Sequence, residues 1–352
     1  MPAITLNNSW PMPSTVRPIV IIGAGGIVAD AHLPAYQKAS FPVAGIFDVN
    51  QDRARALAAK FDVPKVFASL DEAMRSENVV FDIAVPAEFE HEIVAALPAG
   101  SAALLQKPMG VDLDDARRIR QMCRDKKLTS AVNFQLRFSP MMLAVRDAIQ
   151  KKLLGEIVDV DIRLNLRTPW ELFPTLKNLK RVEILVHSVH YLDWIRGLLG
   201  EPFGVYARTV PHPSHPQLKS TRTSAILDYG DAIRCCLSLN HCYEFGPEHE
   251  AATVSIQGTD GALRVSLGLL LNYPVGRPET VHIATREQSW SQVPIQGRWF
   301  PDGFVGRMAN LQRYLNQEDS ELVSDTEDAY RTMALVEACY ASNASGGTKI
   351  PQ

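Results

Sequence analysis

The stretch "VIIGAGGIVADAHLPAY", residues 20 to 36, decides how the chain is to be read. Together with Pro18 and Ile19 it opens as a short apolar run with no polar interruption, the pattern of a strand buried on both faces. Gly23 and Gly25 follow at once, and a helical sequence begins after them. Gly23 permits a tight turn, and Gly25 lets a pyrophosphate approach backbone N–H groups at the helix N-terminus. The third position of the G-x-G-x-x-G pattern is Val28, so helix and strand are expected to sit slightly further apart. A bare G-x-G serves equally well as an ordinary turn, and the context has to decide. "PVAGIFDV" is a second strand, and Asp48 ends it 25 residues after Gly23. A carboxylate there accepts from a ribose 2′-OH and repels a 2′-phosphate, and no arginine immediately follows it. NAD is therefore the expected cofactor, with helix capping as the plainer role for Asp48.

Outward from this point the pattern repeats. "NQDRARALAAKFDV" is an amphipathic helix capped by Asn50, and "KVFASLDEAMRS" gives another strand and helix with Ser69 as cap. "VVFDIAVP", "SAALLQKP" and "LTSAVNFQL" are three more strands, with helices near 89–97 and 112–126. Alternation at this period predicts a doubly wound parallel sheet over residues 17–138, preceded by a loose arm at 1–16. Residues 139–352 change character: helices at 139–154 and 182–199, seven strands of alternating polarity, and two closing helices. That describes an α+β domain with an open, mostly antiparallel sheet covered on one face. The last helix is allowed to pack back on the first domain.

A hydrophobic share of 46% with 21% charged residues is a globular balance, and 352 residues suit two domains. The net charge of −3, without a long basic block, argues against a nucleic-acid partner. No apolar stretch reaches the roughly 20 residues of a membrane span. The first residues lack a basic region followed by an apolar core, so a cytoplasmic location is expected. Five cysteines without a C-x-x-C pair read as small buried thiols rather than a disulfide or zinc site.

Candidate chemistry lies at the carboxyl ends of the parallel strands and in one later helix. "AVPAEFEH" places Pro86 and His91 at a strand-to-helix turn, although His91 alone suits a surface or capping role. Lys107, in "LLQKP", precedes a proline that biases it to extended backbone, at the sheet edge where such folds bind ligands. Arg137 in "NFQLRFSP" and Arg167 with Trp170 in "NLRTPW" suit hydroxyls and the apolar face of a ring, or ordinary packing. His212 and His215 fall in a Pro-rich stretch that reads as an exposed turn. "EILVHSVHYLDWIRGLLGE", residues 183 to 201, sets Glu183, His187 and His190 within roughly 60° of one another on an ideal α-helix. They are satisfied core residues, an acid–base site, or three metal ligands; spacing alone does not fix a metal geometry.

The order "GAGGIVADAHLPA", "FD", "VPAEFEH", "QKP", "NFQLRFSP" and "HSVHYLDWIRGLLGEP" resembles the glucose–fructose oxidoreductase/inositol dehydrogenase (Gfo/Idh/MocA) family from about residue 17 onward. The resemblance implies a Rossmann domain and a C-terminal open sheet, with NAD(P)-dependent oxidation or reduction of a sugar-like alcohol. It implies cofactor contacts at Gly23, Gly25, Gly26, Ile27, Asp48, Val85, Pro86, His91, Gln106 and Lys107. Lys107 and His190 are the implied catalytic pair, with Glu183, His187, Arg137, Arg167 and Trp170 around the substrate and no metal. A homo-oligomer, dimer or tetramer, built on the C-terminal sheet is also implied. Two positions depart from the family pattern. Gln106 replaces the glutamate of E-K-P, which removes a negative charge and disfavours protonated Lys107. Val186 stands where an aspartate is usual, and Glu183 with His187 are the replacements at hand. Two other readings remain: a redox-neutral glycosidase or lyase acting through a transient keto-sugar, and a non-catalytic NAD-dependent sensor or scaffold.

Overall fold

The computed structural model describes residues 4–173, 176, 179–273 and 275–351. In its first part, β1 (Ile19–Ile22) leads through a widened helical turn, Val28–His32, into α1 (Leu33–Lys38). There follow β2 (Val43–Phe47), α2 (Gln51–Lys60), α3 (Leu70–Met74), β3 (Val80–Ile83), α4 (Ala87–Ala96), β4 (Ala102–Leu105), α5 (Leu113–Asp125) and β5 (Thr129–Val132). The five strands pair in parallel in the order β2-β1-β3-β4-β5. β1, β3 and β4 are buried along their whole length, β1 and β4 as unbroken apolar runs and β3 with Asp82 inside an otherwise apolar one. Asn50 and Ser69 cap α2 and α3 by accepting from the N–H groups of Arg53 and Glu72. The strand expected in "KVFASL" shrinks to a single bridge between Val66 and Ile46, since only that short extended piece reaches the sheet. Chain order reverses at β1, which has β2 on one side and β3 on the other. That is the switch point where such sheets open a ligand crevice at the strands' carboxyl ends.

The second part comprises α6 (Pro140–Gln150), β6 (Ile157–Asn165), a helix formed by Glu183–Ser188 and α7 (Val189–Leu199), then β7 (Gly204–Val210) and β8 (Arg222–Asp228). β9 (Arg234–Asn240), β10 (Ala251–Gly258), β11 (Gly261–Ser266), β12 (Thr280–Thr285) and β13 (Ser291–Val293) complete an eight-stranded sheet. Its order is β13-β12-β11-β10-β6-β9-β8-β7, antiparallel except for the β6–β9 pair. Alternate residues are buried, so one face carries the core. α8 (Trp299–Leu315) and α9 (Thr326–Ser345) close the chain. Among the described residues, no helix is long and apolar enough to cross a membrane. The five cysteines are free thiols, and all but Cys236 are buried.

Two compact units result. One joins Ser9–Ser139 to Phe300–Ala334; the other joins Pro140–Trp299 to the residues up to Asn8 and those from Leu335. The first unit thus takes in residues well beyond a simple division at 138. The cause is the apolar face of α8: Phe304, Met308 and Leu311 pack with Ile19, Ile21, Val28 and Tyr36 in one core. The arm expected to be loose is tied down from Ile4 onward. In the first unit Trp10 donates to Asp319 at 2.9 Å and Arg17 N–H to Gln312 at 3.0 Å. In the second, Leu6 is buried and Asn7 N–H donates to Asp147 at 2.9 Å.

Phe304→Ala is expected to destabilise the first unit by about 3–5 kcal/mol, the usual range for an emptied aromatic site. A lowered urea midpoint for that unit's transition checks it. An unchanged midpoint would remove α8 from the core.

Candidate active site

The crevice edge of the first unit is built around two glycines with different work. Gly23 has φ +111°, and a β-carbon on it would lie 2.3 Å from the carbonyl oxygen of Ala84. Its N–H donates to Phe47 O at 2.7 Å, so the turn is wedged between the ends of β2 and β3. Gly25 is the opposite case, with nothing within 4 Å of where its β-carbon would be. Val28 and Ala29 donate to its carbonyl, at 3.1 and 3.2 Å, as the first bonds of the helix. The N–H groups of Gly25, Gly26 and Ile27 therefore precede the helix's own ladder and point out of its positive end. Asp48 binds this turn directly. Its Oδ2 accepts from Ala24 N–H at 2.6 Å and its Oδ1 from Asn50 N–H at 2.7 Å. Each oxygen keeps a second lone pair for an incoming hydroxyl. Val85 and Pro86 line the next strand end, Pro86 beginning α4. His91 lies one turn inside α4, with Nδ1 3.5 Å from Asp115 of α5.

Lys107 follows β4 on the same edge. Its backbone N–H donates to Gln106 Oε1 at 2.9 Å, and Gln106 Nε2 reaches His32 Nε2 at 2.9 Å. His32 Nδ1 lies 2.6 Å from Asp82 Oδ2, which also accepts from the Tyr36 hydroxyl at 2.7 Å. His32, Tyr36 and Asp82 are buried. The polarity is consistent in one direction only. Gln106 donates to His32 Nε2, so the His32 proton sits on Nδ1 and is given to Asp82. With glutamate at 106 the same bond would need a proton on Nε2. Burial, compounded by the neighbouring Asp82 carboxylate, pushes the Tyr36 hydroxyl well above its ordinary value. Lys107 is partly buried, and loss of solvation lowers its ammonium to about 8. Arg137, in the turn after β5, faces Asp328 of α9 at 3.0 Å.

The second unit gathers a different cluster. Residues Glu183–Ser188 are wound more loosely than an α-helix, Val189 N–H reaching back to Ile184 O. The expected α-helical stripe of Glu183, His187 and His190 is therefore not what converges. Glu183 and His187 meet His241, just beyond β9, with their ligating atoms all within 4.8 Å of one another. The His187 and His241 rings stack with centroids 4.5 Å apart, and Trp170 leans on both. Glu183 is fully buried and accepts from the Ser188 hydroxyl through both oxygens at 2.9 Å. His190 stands edge-on to Trp299, ring centroids 5.9 Å apart. Arg167 is exposed and 3.3 Å from Glu171, at the rim of a cavity of about 480 Å³ lined also by Tyr243, Glu250, Tyr273 and Arg277. His215 bonds Glu244 at 2.8 Å.

His241 had a legible signal. Cys235, Leu237 and Leu239 point into the core, so period-two alternation puts residue 241 on the buried face as well. Asp82 had one too, as a carboxylate inside a strand buried along its whole length.

A parallel sheet with a glycine turn at its switch point and an acid at the end of β2 defines a dinucleotide-binding enzyme. Sequence comparison makes the class specific. Residues 17–134 match the model of the oxidoreductase family's NAD-binding Rossmann fold, and residues 146–351 match its C-terminal alpha/beta domain. The chain belongs to this Gfo/Idh/MocA oxidoreductase family. It is 25% identical over 344 residues to D-apiose dehydrogenase of Paraburkholderia graminis, covering 93% of this chain and 88% of that one. It is 29% identical over 239 residues to an inositol 2-dehydrogenase/D-chiro-inositol 3-dehydrogenase of Shouchella clausii, covering 63% and 66%. An Agrobacterium radiobacter oxidoreductase solved with NAD+, L-tartaric acid and magnesium has the same fold, with TM-score 0.79, 21% identity and coverage of 95% and 98%. The open space at Gly25 and the acid at Asp48 fit NAD as the cofactor of this domain.

The low ammonium value of Lys107 has a stability consequence. Its folded pKa of about 8 lies below the ordinary lysine value of 10.5, so the charged form opposes folding. That cost is complete below pH 8 and vanishes as pH rises through 10.5. Lys107→Met is expected to be more stable than wild type at pH 7, with the advantage shrinking across that window. Urea melts at pH 7, 9 and 10.5 test it, and a pH-independent difference would contradict it.

Proposed function

We propose that the chain is an NAD-dependent dehydrogenase that moves a hydride between a secondary hydroxyl of a sugar, cyclitol or glycoside and the nicotinamide. The observation that carries this reading is Lys107. It sits at the carboxyl end of β4, its backbone held by Gln106 and its ammonium lowered to about 8. A lysine so placed donates to a substrate oxygen and stabilises the alkoxide as it forms. His190 takes the hydroxyl proton in the direction of oxidation, for which its imidazole must be neutral. Bound NAD supplies the hydride acceptor. Gly23, Gly25, Gly26 and Ile27 hold the pyrophosphate, Asp48 the ribose, and Val85, Pro86, His91 and Gln106 complete the cofactor edge. Glu183 is enclosed and engaged by Ser188, so His187 is the member of that pair left to meet a substrate hydroxyl, with Arg137, Arg167 and Trp170 as further substrate-side residues. The named relatives are dehydrogenases of apiose and inositol, which favours net hydride transfer over redox-neutral elimination or a sensor role. A cytoplasmic homo-oligomer assembled through the open sheet face completes the proposal.

Purified protein offered a panel of pentoses, hexoses, cyclitols and glycosides should form NADH together with a product two mass units lighter. Aglycone release without NADH would replace this reading by the redox-neutral one. His190→Ala and Lys107→Ala should each lower turnover by at least about 100-fold while leaving NAD affinity nearly unchanged. Near-wild-type turnover in either would demote that residue. NAD should bind more tightly than NADP by calorimetry, and Asp48→Ala should narrow the gap. Equal affinities in the wild type would remove Asp48 from the ribose site.

A further inference from the structure

Glu183 presents a buried carboxylate whose only hydrogen-bond donor among the described residues is the Ser188 hydroxyl, a neutral group with one proton for two oxygens. Burying an ionised carboxylate is costly unless a positive charge accompanies it. The nearest group that could supply one is His241, and its geometry is wrong for a simple ion pair. His241 Nε2 is buried and 3.4 Å from Glu183 Oε1, yet makes no hydrogen bond to it. Two donor atoms that close without a hydrogen bond between them leave room for one cation to be shared by both. For zinc-type ligands at about 2.1 Å and tetrahedral angles, neighbouring donors lie about 3.4 Å apart, which is the separation seen. His187 supplies a third donor within 4.8 Å of both, so modest side-chain movement closes the set.

We infer that Glu183, His187 and His241 form a binding site for one divalent transition-metal ion of the zinc type. The surroundings suit it. Thr168 Oγ1 lies 2.9 Å from His241 Nδ1, so an Nδ1–H donated to Thr168 leaves the Nε2 lone pair for the metal. Ser188 orients the carboxylate in the same supporting manner. Trp170, Val182, Leu218 and Cys242 make an apolar wall in which charge attraction is strong. His187 is only half-buried and gives the ion a way in. Two histidines and a carboxylate leave a fourth position for water or a hydroxyl. This inference rests on the substrate-side reading only for His187 and gives it a common ligand with the enclosed Glu183, and its test needs neither substrate nor NAD.

The full chain, stripped with chelator and dialysed, is titrated with zinc alone and with cobalt(II) alone. One equivalent of zinc should bind and raise Tm, and cobalt should develop visible bands of tetrahedral nitrogen–oxygen coordination. His241→Gln and Glu183→Gln should lose both signals, while retained NAD binding shows that the first unit is folded. Thr168→Val, which keeps the side-chain shape, should weaken zinc affinity about 10–100-fold, as expected for a supporting partner. Absence of zinc-dependent stabilisation and of cobalt bands in the wild type would overturn the site. Equal metal binding by wild type and His241→Gln would overturn it as well. Loss of dehydrogenase activity with metal binding intact would strike the proposed reaction, not the site.

Discussion

The contact between Gly23 and the carbonyl of Ala84 is the constraint on which the first unit depends. β1 must pair with β3 up to the last residue and then turn at once, and only a residue without a β-carbon leaves room for both. Because that turn is tight, the next helix starts directly above the sheet's switch point, and its free N–H groups meet the crevice. Asp48 then fastens the turn from the β2 side, so a single carboxylate closes the loop and presents lone pairs outward. The glycine turn and the strand pairing are thus one arrangement.

Each unit also holds a carboxylate deep in apolar surroundings, and the two are accommodated differently. Asp82 receives two donors of fixed polarity, His32 and Tyr36, and the relay ends on the backbone of Lys107 through Gln106. Glu183 has a single neutral hydroxyl and two imidazoles set beside it. The first carboxylate draws both donors to one oxygen, Oδ2, and leaves its buried Oδ1 without a hydrogen bond. The second shares one hydroxyl between its two oxygens and has a buried imidazole nitrogen 3.4 Å away.

Much of this could be read from residue order. Parallel strands announced themselves as short, mostly apolar runs, caps as Asn50 and Ser69, and the open sheet as alternation that the burial of β8, β9 and β10 reproduces. The convergence of Glu183 with His241 could not be read in full. Their meeting depends on a loosened helical turn at 183–188, which shifts side chains off the 100° wheel, and on the long-range seating of β9. The partnership of α8 with the first sheet was hidden for a related reason. Amphipathic periodicity shows that a helix needs a cover and does not name which cover it finds.

That seating of α8 also bears on the order in which the protein can be completed as it is made. The sheet of the first unit is encoded early, yet Phe304, Met308 and Leu311 come from residues synthesised near the end. A nascent chain emerging at translation speed must therefore carry an apolar sheet surface without its lid while the whole second sheet is still being added. The same arrangement makes an isolated N-terminal fragment a poor stand-in for the domain: its exposed sheet face would favour association with other chains over a folded monomer.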